Sequence, residues 1–294
     1  MAANDSGNLA GSLVEQIIAA EAVVKLTDVN VMMPLVTSIG QASADSITVP
    51  LWNSGTDTIT KADVGPHTEN TALTAKALDS NKVTATLDSY GLNVPVYYEA
   101  EYSSIENLGD KVATIGANAM SEYIDDMLTD LFGGFHGASA ADTSAGTTST
   151  NFKLNDLFDG LGYLKGESAP GPFNAVHHPK SVWGDDGLMA DLGNNGSMPG
   201  GMSVSEQATG AGFATTVAGI GIHSSPTVDV ASTNYYIGGM FCKEAILFGY
   251  HTPVIKVEAQ KEATDLRTDY VFSGFFAASE LEEHWGIAIK SKFQ

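Results

Sequence analysis

The chain is poor in the side chains that most often carry chemistry. Among its 294 residues are one cysteine, Cys242, and one arginine, Arg267, and the 14 Lys and Arg face 35 Asp and Glu for a formal charge of −21. A single cysteine excludes a disulfide within the chain. Cations this few, and nowhere clustered, exclude a groove that binds nucleic acid by neutralising phosphates. One Arg leaves no base readout by guanidinium forks. No apolar run approaches the ~20 residues needed to span a bilayer. Met1 to Asn8 lacks the basic start and apolar run of a signal peptide. The expectation is therefore synthesis in a reducing cytoplasm, with no membrane partner. Glycosylation matches at Asn4 and Asn195 are short enough to arise by chance. A chain of this length buries roughly 75% of its unfolded surface, so its core needs no covalent staple.

What the sequence does have is pattern. Ser12 with Glu15 reads as a capping box, followed by Leu13, Ile17, Ala20 and Val24 on one helix face. Pro34 and Gly40 separate this helix from the next strong element, so it reads as an arm that packs on something else. Ser46 to Trp52 alternates, with Ile47, Val49 and Leu51 on one side, and Lys82 to Asp88 repeats the pattern with Val83, Ala85 and Leu87. That period of two marks half-buried strands. About thirty polar residues between them are too many for a tight turn, and a long two-stranded ribbon resting on a neighbour accounts for them.

A helix is expected from Ile105 to Phe132, opened by a Ser103–Glu106 capping box and closed by Gly133 and Gly134. Ile105, Leu108, Val112, Ile115 and Ala119 step by three and four, continued by Met120, Ile124, Met127 and Leu131. At ~1.5 Å per residue it makes a rod of about 42 Å. Residues 138–150 read as exposed loop. Leu154, Leu157, Phe158, Leu161 and Leu164 mark an amphipathic helix; Phe173 to His177 reads as a strand, and Lys180 to Leu192 as one helix. Asn194 to Gly212 is Gly- and Ser-rich loop. Short strands are expected at Val217 to Ile222 and Val228 to Val230, and an apolar segment surrounds Cys242 within Tyr235 to Gly249. Strands at Val254 to Ala259, Thr268 to Ala278 and Gly286 to Ile289 close the chain.

No catalytic constellation emerges. The chain has no G-x-S-x-G elbow, P-loop, H-E-x-x-H or C-x-x-C. Gly160, Gly162 and Gly166 imitate a dinucleotide loop but sit in a helical pattern. His177 and His178 are adjacent on a strand, so they point to opposite faces and cap a strand end better than they share a metal. Asp185-Asp186 and Glu282-Glu283-His284 read as solvated faces in so acidic a chain. Cys242, among Met240, Phe241, Ala245 and Ile246, reads as a small buried hydrophobe. No catalytic, cofactor-binding or metal residue is therefore assigned, and no cofactor.

An arm, a ribbon, a very long helix, an inserted mixed region and returning strands add up to a poorly globular subunit, which needs neighbours to bury its extensions. This order resembles the major capsid protein of tailed double-stranded DNA phages, the Hong Kong-type fold shared with encapsulins. Ser46 to Tyr98 resembles its extended loop and Ile105 to Phe132 its spine helix. Ala175-Val-His-His-Pro179, and Val217-Ala-Gly-Ile-Gly-Ile222 followed by Ser224-Ser225-Pro226, resemble its axial domain. Val254 to Lys292, with Asp265, Arg267 and Gly274, resembles the strands that return to its peripheral domain. The resemblance implies an α+β fold divided as an N-terminal arm 1–45, an extended loop 46–98, a peripheral domain 99–170, an axial domain 171–252 and return strands 253–294. It implies a structural shell subunit, not an enzyme, that self-assembles into pentamers and hexamers of a virion around DNA bound without sequence specificity. Portal and scaffolding proteins are then partners, with decoration proteins left open. The alternative is an encapsulin-type shell around a cargo enzyme; a hydrolase or secreted binding module, from a different class, lacks both signal and constellation. Lys61, Lys76 and Lys82 lie in or beside the ribbon, but no residue marks an Asn partner for the isopeptide bond that some members form. The acidic balance fits a wall that does not grip its contents.

Overall fold

The computed structural model of the chain describes residues 30–292 apart from 42–44, 54–57, 68, 70–71, 74, 104–107, 137–144, 195–215, 229 and 232–234. The helix expected after Ser12, Glu106 of the expected capping box and most of the Gly- and Ser-rich stretch lie outside the described residues.

Two sheets and a long helix share one core. The first sheet is organised on Arg267–Glu280. Ile246–His251 and Lys256–Glu262 follow each other along one edge and Asp88–Tyr97 fills the other, all antiparallel. Thr37–Gln41 adds in parallel beside Ile246–His251, a strand that Pro34 and Gly40 hid from the sequence reading. On the central strand Thr268, Phe272 and Phe276 are buried, the period-two face that turns to the helix.

That helix spans Leu108–Thr129 and tightens into a 3-10 turn over Asp130–Gly133. Its buried line runs Leu108, Gly116, Met120, Ile124 and Leu128. Ile115, expected on the apolar face, is 50% exposed. The core line passes one position later, at Gly116, because the Phe272 ring occupies the space where a Cβ at Gly116 would stand. At the far end the glycines are not needed for a left-handed stop, since Gly134 has φ −92. A Cβ at Gly134 would instead strike the Glu280 carboxylate.

Among the described residues the second sheet has seven strands, ordered Ala145–Gly146, Gly286–Lys292, Tyr235–Cys242, Phe173–His177, Ile220–Ser224 and Thr216–Val217, with Val230–Ala231 beside Tyr235–Cys242. Three expectations are corrected here. Gly286–Lys292 does not return to the first sheet; it pairs antiparallel with Tyr235–Cys242, and its residues are buried up to Ser291, as a strand covered on both faces must be. Val217 to Ile222 is a hairpin rather than one strand, turning on Ala218 and Gly219 at φ 53 and 83, the backbone of a two-residue turn matched to strand twist. The helix expected from Lys180 to Leu192 is two, Pro179–Trp183 and Leu188–Asn194. They break at Gly184 to Gly187, where a Cβ on Gly187 would lie 2.6 Å from the Ser181 carbonyl.

Leu154–Gly166 is the amphipathic helix expected there; it packs on this sheet, and a Cβ at Gly160 would collide with Met240. Gly160 and Gly162 are thus helix residues, and Gly160 serves close packing rather than a phosphate. Phe132, Phe135 and Phe241, with ring centroids 5.7 to 6.0 Å apart, join the end of the long helix to the second sheet. Each such fully buried ring contributes roughly 2–3 kcal/mol.

Candidate assembly surfaces

The ribbon forms where its alternation places it, but its second strand is Ser80–Thr86 rather than Lys82 to Asp88, because Asp88 opens the strand that joins the first sheet. Ser46–Trp52 and Ser80–Thr86 pair antiparallel from Ser46↔Thr86 to Trp52↔Ser80. Ile47, Val49, Val83 and Ala85 share one face, and Ile47 and Ala85 pack with Leu247, Ala277 and Leu281 of the first sheet. On the other face the Thr48 and Thr84 hydroxyls meet at 3.0 Å. Burial fades along the inner face, from Ile47 at 4% exposure to the half-buried Val49 and Leu51, while Trp52, on the outer face, is 68% exposed. Beyond it the described residues are held by polar contacts rather than by a core. Asn53 Oδ1 accepts from the Ile59 N–H at 2.6 Å, and Asp63 accepts from the Thr60 N–H at 2.8 Å and pairs with Lys76 at 3.2 Å. The Thr60 N–H, then Lys76, hold the Asp63 carboxyl below the usual carboxylate range. Val64, Leu73 and Leu78 are left 79%, 74% and 57% exposed. Large apolar side chains on a projection with no core of its own mark a contact surface.

A second arrangement fixes where the N-terminal segment meets the body. Asp125, on the long helix, is 3% exposed. Its Oδ1 accepts from the Val31 and Met32 N–H groups at 3.0 and 2.6 Å, and its Oδ2 from the Ser225 hydroxyl at 2.6 Å. Thr129, one turn on, donates to the Thr227 carbonyl at 3.1 Å. One carboxylate thus ties residues 31–32, the long helix and the loop after Ser224 together, with charge-assisted bonds that repay its burial. An open groove of about 520 Å³ lies alongside, lined by Glu122, Tyr123, Asp126 and Pro226 among others. The sequence reading missed Asp125. Its only signal is a carboxylate next to Ile124 and four residues before Thr129, indistinguishable from the chain's other acidic doublets.

The residues singled out from sequence do not converge. His177 is buried and stacks on Phe152 at 4.8 Å, and its pKa is pushed down to about 3 by burial and by His178. His178 stacks on Tyr236 at 4.1 Å, and its Nδ1 accepts from the Lys180 N–H, capping the helix that starts at Pro179. Burial pushes the Cys242 thiol up to about 11, so it holds its proton. Asp186 opens on a shallow surface pocket with Asp191 and Lys153 at the start of helix Leu154–Gly166, and His284 meets the Tyr163 hydroxyl at 3.2 Å near that helix's end. Among the described residues no three His, Cys, Asp or Glu gather to hold a metal ion, and no described helix is long and apolar enough to cross a membrane. Arg267 is neutralised within its own hairpin by Asp265 and Asp269, at 3.2 and 3.0 Å.

No family model and no curated protein sequence matches the chain. Solved structures do. The chain is similar to the capsid protein of the cyanophage P-SCSP1u, with a TM-score of 0.66 at 16% identity over 94% of this chain and 92% of that one. The fold is that of a phage capsid subunit. The capsid of Ralstonia phage GP4 aligns at a TM-score of 0.65 and 9% identity over 95% of both chains. That of a native GTA particle aligns at 0.64 and 12% over 99% of both. Ribbon, long helix and both sheets thus belong to one whole-chain likeness rather than to a shared fragment.

Proposed function

We propose that the chain is the structural subunit of an icosahedral virion capsid, assembling through pentamers and hexamers around a double-stranded DNA genome. The observation that carries this reading is the ribbon: an extension whose base packs on its own subunit and whose further described residues display large apolar side chains. The likeness to capsids of phages and of a GTA particle, over nearly the whole chain, supports a genome shell over a cargo compartment. The extended loop, expected over 46–98, is the ribbon 46–86, because Asp88–Tyr97 pairs into the first sheet, and the peripheral body combines that sheet with the long helix. The axial part, expected over 171–252, yields Ile246–His251 to the first sheet and takes in Gly286–Lys292. Portal and scaffolding proteins are the expected partners during assembly in the host cytoplasm. Self-complementary contact, rather than catalysis, is the activity. An acidic inner wall would leave counterions between protein and DNA, an effect felt within about 10 Å at 0.1 M salt.

The test is sedimentation and electron microscopy of the purified protein, alone and with its scaffolding partner. Closed particles of uniform size are expected. A monomer that persists under every condition, including with scaffold, sinks the reading.

A further inference from the structure

One buried carboxylate serves two segments that lie far apart in the chain. Asp125 Oδ1 accepts from the Val31 and Met32 N–H groups, 94 and 93 residues away, and Oδ2 from the Ser225 hydroxyl, 100 residues away. Each side is prepared for it. Asn30 Oδ1 accepts from the Met33 N–H at 2.9 Å, and Asn30 Nδ2 donates to the Ser121 carbonyl at 3.5 Å. The chain thus turns at residues 30–33 with two N–H groups toward the carboxylate. On the other side the Ser225 N–H donates to the His177 carbonyl at 3.2 Å, and the Ser225 and Thr227 hydroxyls meet at 2.8 Å. The Thr227 hydroxyl stands 3.4 Å from Oδ2, a second and weaker donor.

Among the described residues these donors are all neutral, and that makes the burial conditional. Burying an ionised carboxylate costs several times what one hydrogen bond returns. It stays inside only while donors from both segments reach it. Remove the donors of one segment, and the other holds a charge that it cannot compensate alone. The carboxylate then takes up water and lets go of both. The division of its oxygens strengthens the link, because the Ser225 bond to Oδ2 fixes the plane that presents Oδ1 to the two amides.

We propose that Asp125 couples the two segments, so that residues 30–32 and the 225–228 loop are seated together and released together. The loop carries a surface with it: Pro226, Thr227 and Val228 wall one side of the open groove along the long helix. The sequence reads the residues before Asn30 as an arm that packs on something else, and the loop belongs to the axial part. On the shell reading, on which this consequence rests, a pull on the arm from a neighbouring copy is felt at the axial loop of the same subunit. Coupling of this kind runs equally in both directions.

Amide exchange in the isolated subunit tests it. Ser225→Ala removes the nearer donor to Oδ2 and touches nothing at residues 30–32. Exchange of the Val31 and Met32 amides should quicken at least about tenfold, while the strand 267–280 keeps its protection. In the other direction, Val31→Pro removes one donor to Oδ1. It should quicken exchange of the Val228 amide, which donates to the Ser225 carbonyl. If Ser225→Ala costs the strand 267–280 its protection, Thr227→Val replaces it. That change removes only the 3.4 Å donor, and roughly threefold faster exchange at residues 31–32 is expected. Wild-type rates at residues 31–32 in whichever of these two variants folds, with the 225–228 loop alone affected, overturn the coupling and leave the shell reading standing. Wild-type protein that never forms particles overturns the shell reading, and the exchange rates then still decide the coupling.

Discussion

The body and the ribbon are built from the same alternating strands, yet they treat their apolar residues in opposite ways. In the body Phe248, Phe272 and Phe276 of the first sheet are fully buried in the core that both sheets and the long helix share. Among the described residues of the ribbon only Ile47 and Ala85, at the base, are buried, while Trp52, Val64 and Leu73 stand in solvent. An isolated two-stranded ribbon is marginal in water, and this one keeps its form through Asn53, Thr60, Asp63 and Lys76 rather than a core. The difference separates two tasks: body residues make the subunit fold, and ribbon residues make copies of it meet.

The strongest way to break that separation is to delete residues 53–80. The subunit should remain soluble and melt within a few degrees of wild type, while closed particles vanish from micrographs. A deletion variant that unfolds would show that the ribbon belongs to the core after all. Next in size is Asp125→Ala, which strips the acceptor from the Val31 and Met32 N–H groups and the Ser225 hydroxyl. Stranded buried donors cost about 1–3 kcal/mol each, so denaturant unfolding should show the subunit destabilised by roughly 3 kcal/mol or more. An unchanged midpoint would remove this residue from the account.

Acid should act on the body before the ribbon. His177 is neutral in the fold, with its pKa near 3 against 6.5 for the free side chain. The unfolded chain therefore binds the extra proton, and this contribution to stability is present above pH 6.5 and lost as pH falls toward 3. His177→Gln should flatten the stability profile across that window by a few kcal/mol at most, and a profile parallel to wild type would contradict the assignment. The smallest effect is expected at Glu280, whose carboxyl is pushed up by burial and then by Glu283. A raised carboxyl favours the fold at low pH and opposes it once ionised. Glu280→Gln should thus raise the melting temperature by about 2 °C above neutrality and leave it unchanged near pH 4.

Much of this division is legible in the sequence alone. Period-two alternation locates both ribbon strands, and the three- and four-residue steps locate the long helix. What sequence could not supply was partnership across long separations. Thr37–Gln41 has little apolar pattern and becomes a strand only because Ile246–His251 lies beside it. Gly286–Lys292 reads like the strands before it, and only its pairing with Tyr235–Cys242 assigns it to the other sheet. Asp125 is one carboxylate among 35 Asp and Glu, and its role depends on Ser225, a hundred residues away along the chain. Gly116, Gly134 and Gly187 were likewise unreadable, because each answers to a neighbour rather than to its own backbone.

The most direct test of the central claim is amide hydrogen exchange of residues 46–86 in assembled particles and in subunits dissociated from them. Slow exchange of the ribbon in particles, and fast exchange in subunits whose 267–280 strand stays protected, is the result expected. Equal protection of the ribbon in both states would contradict the account.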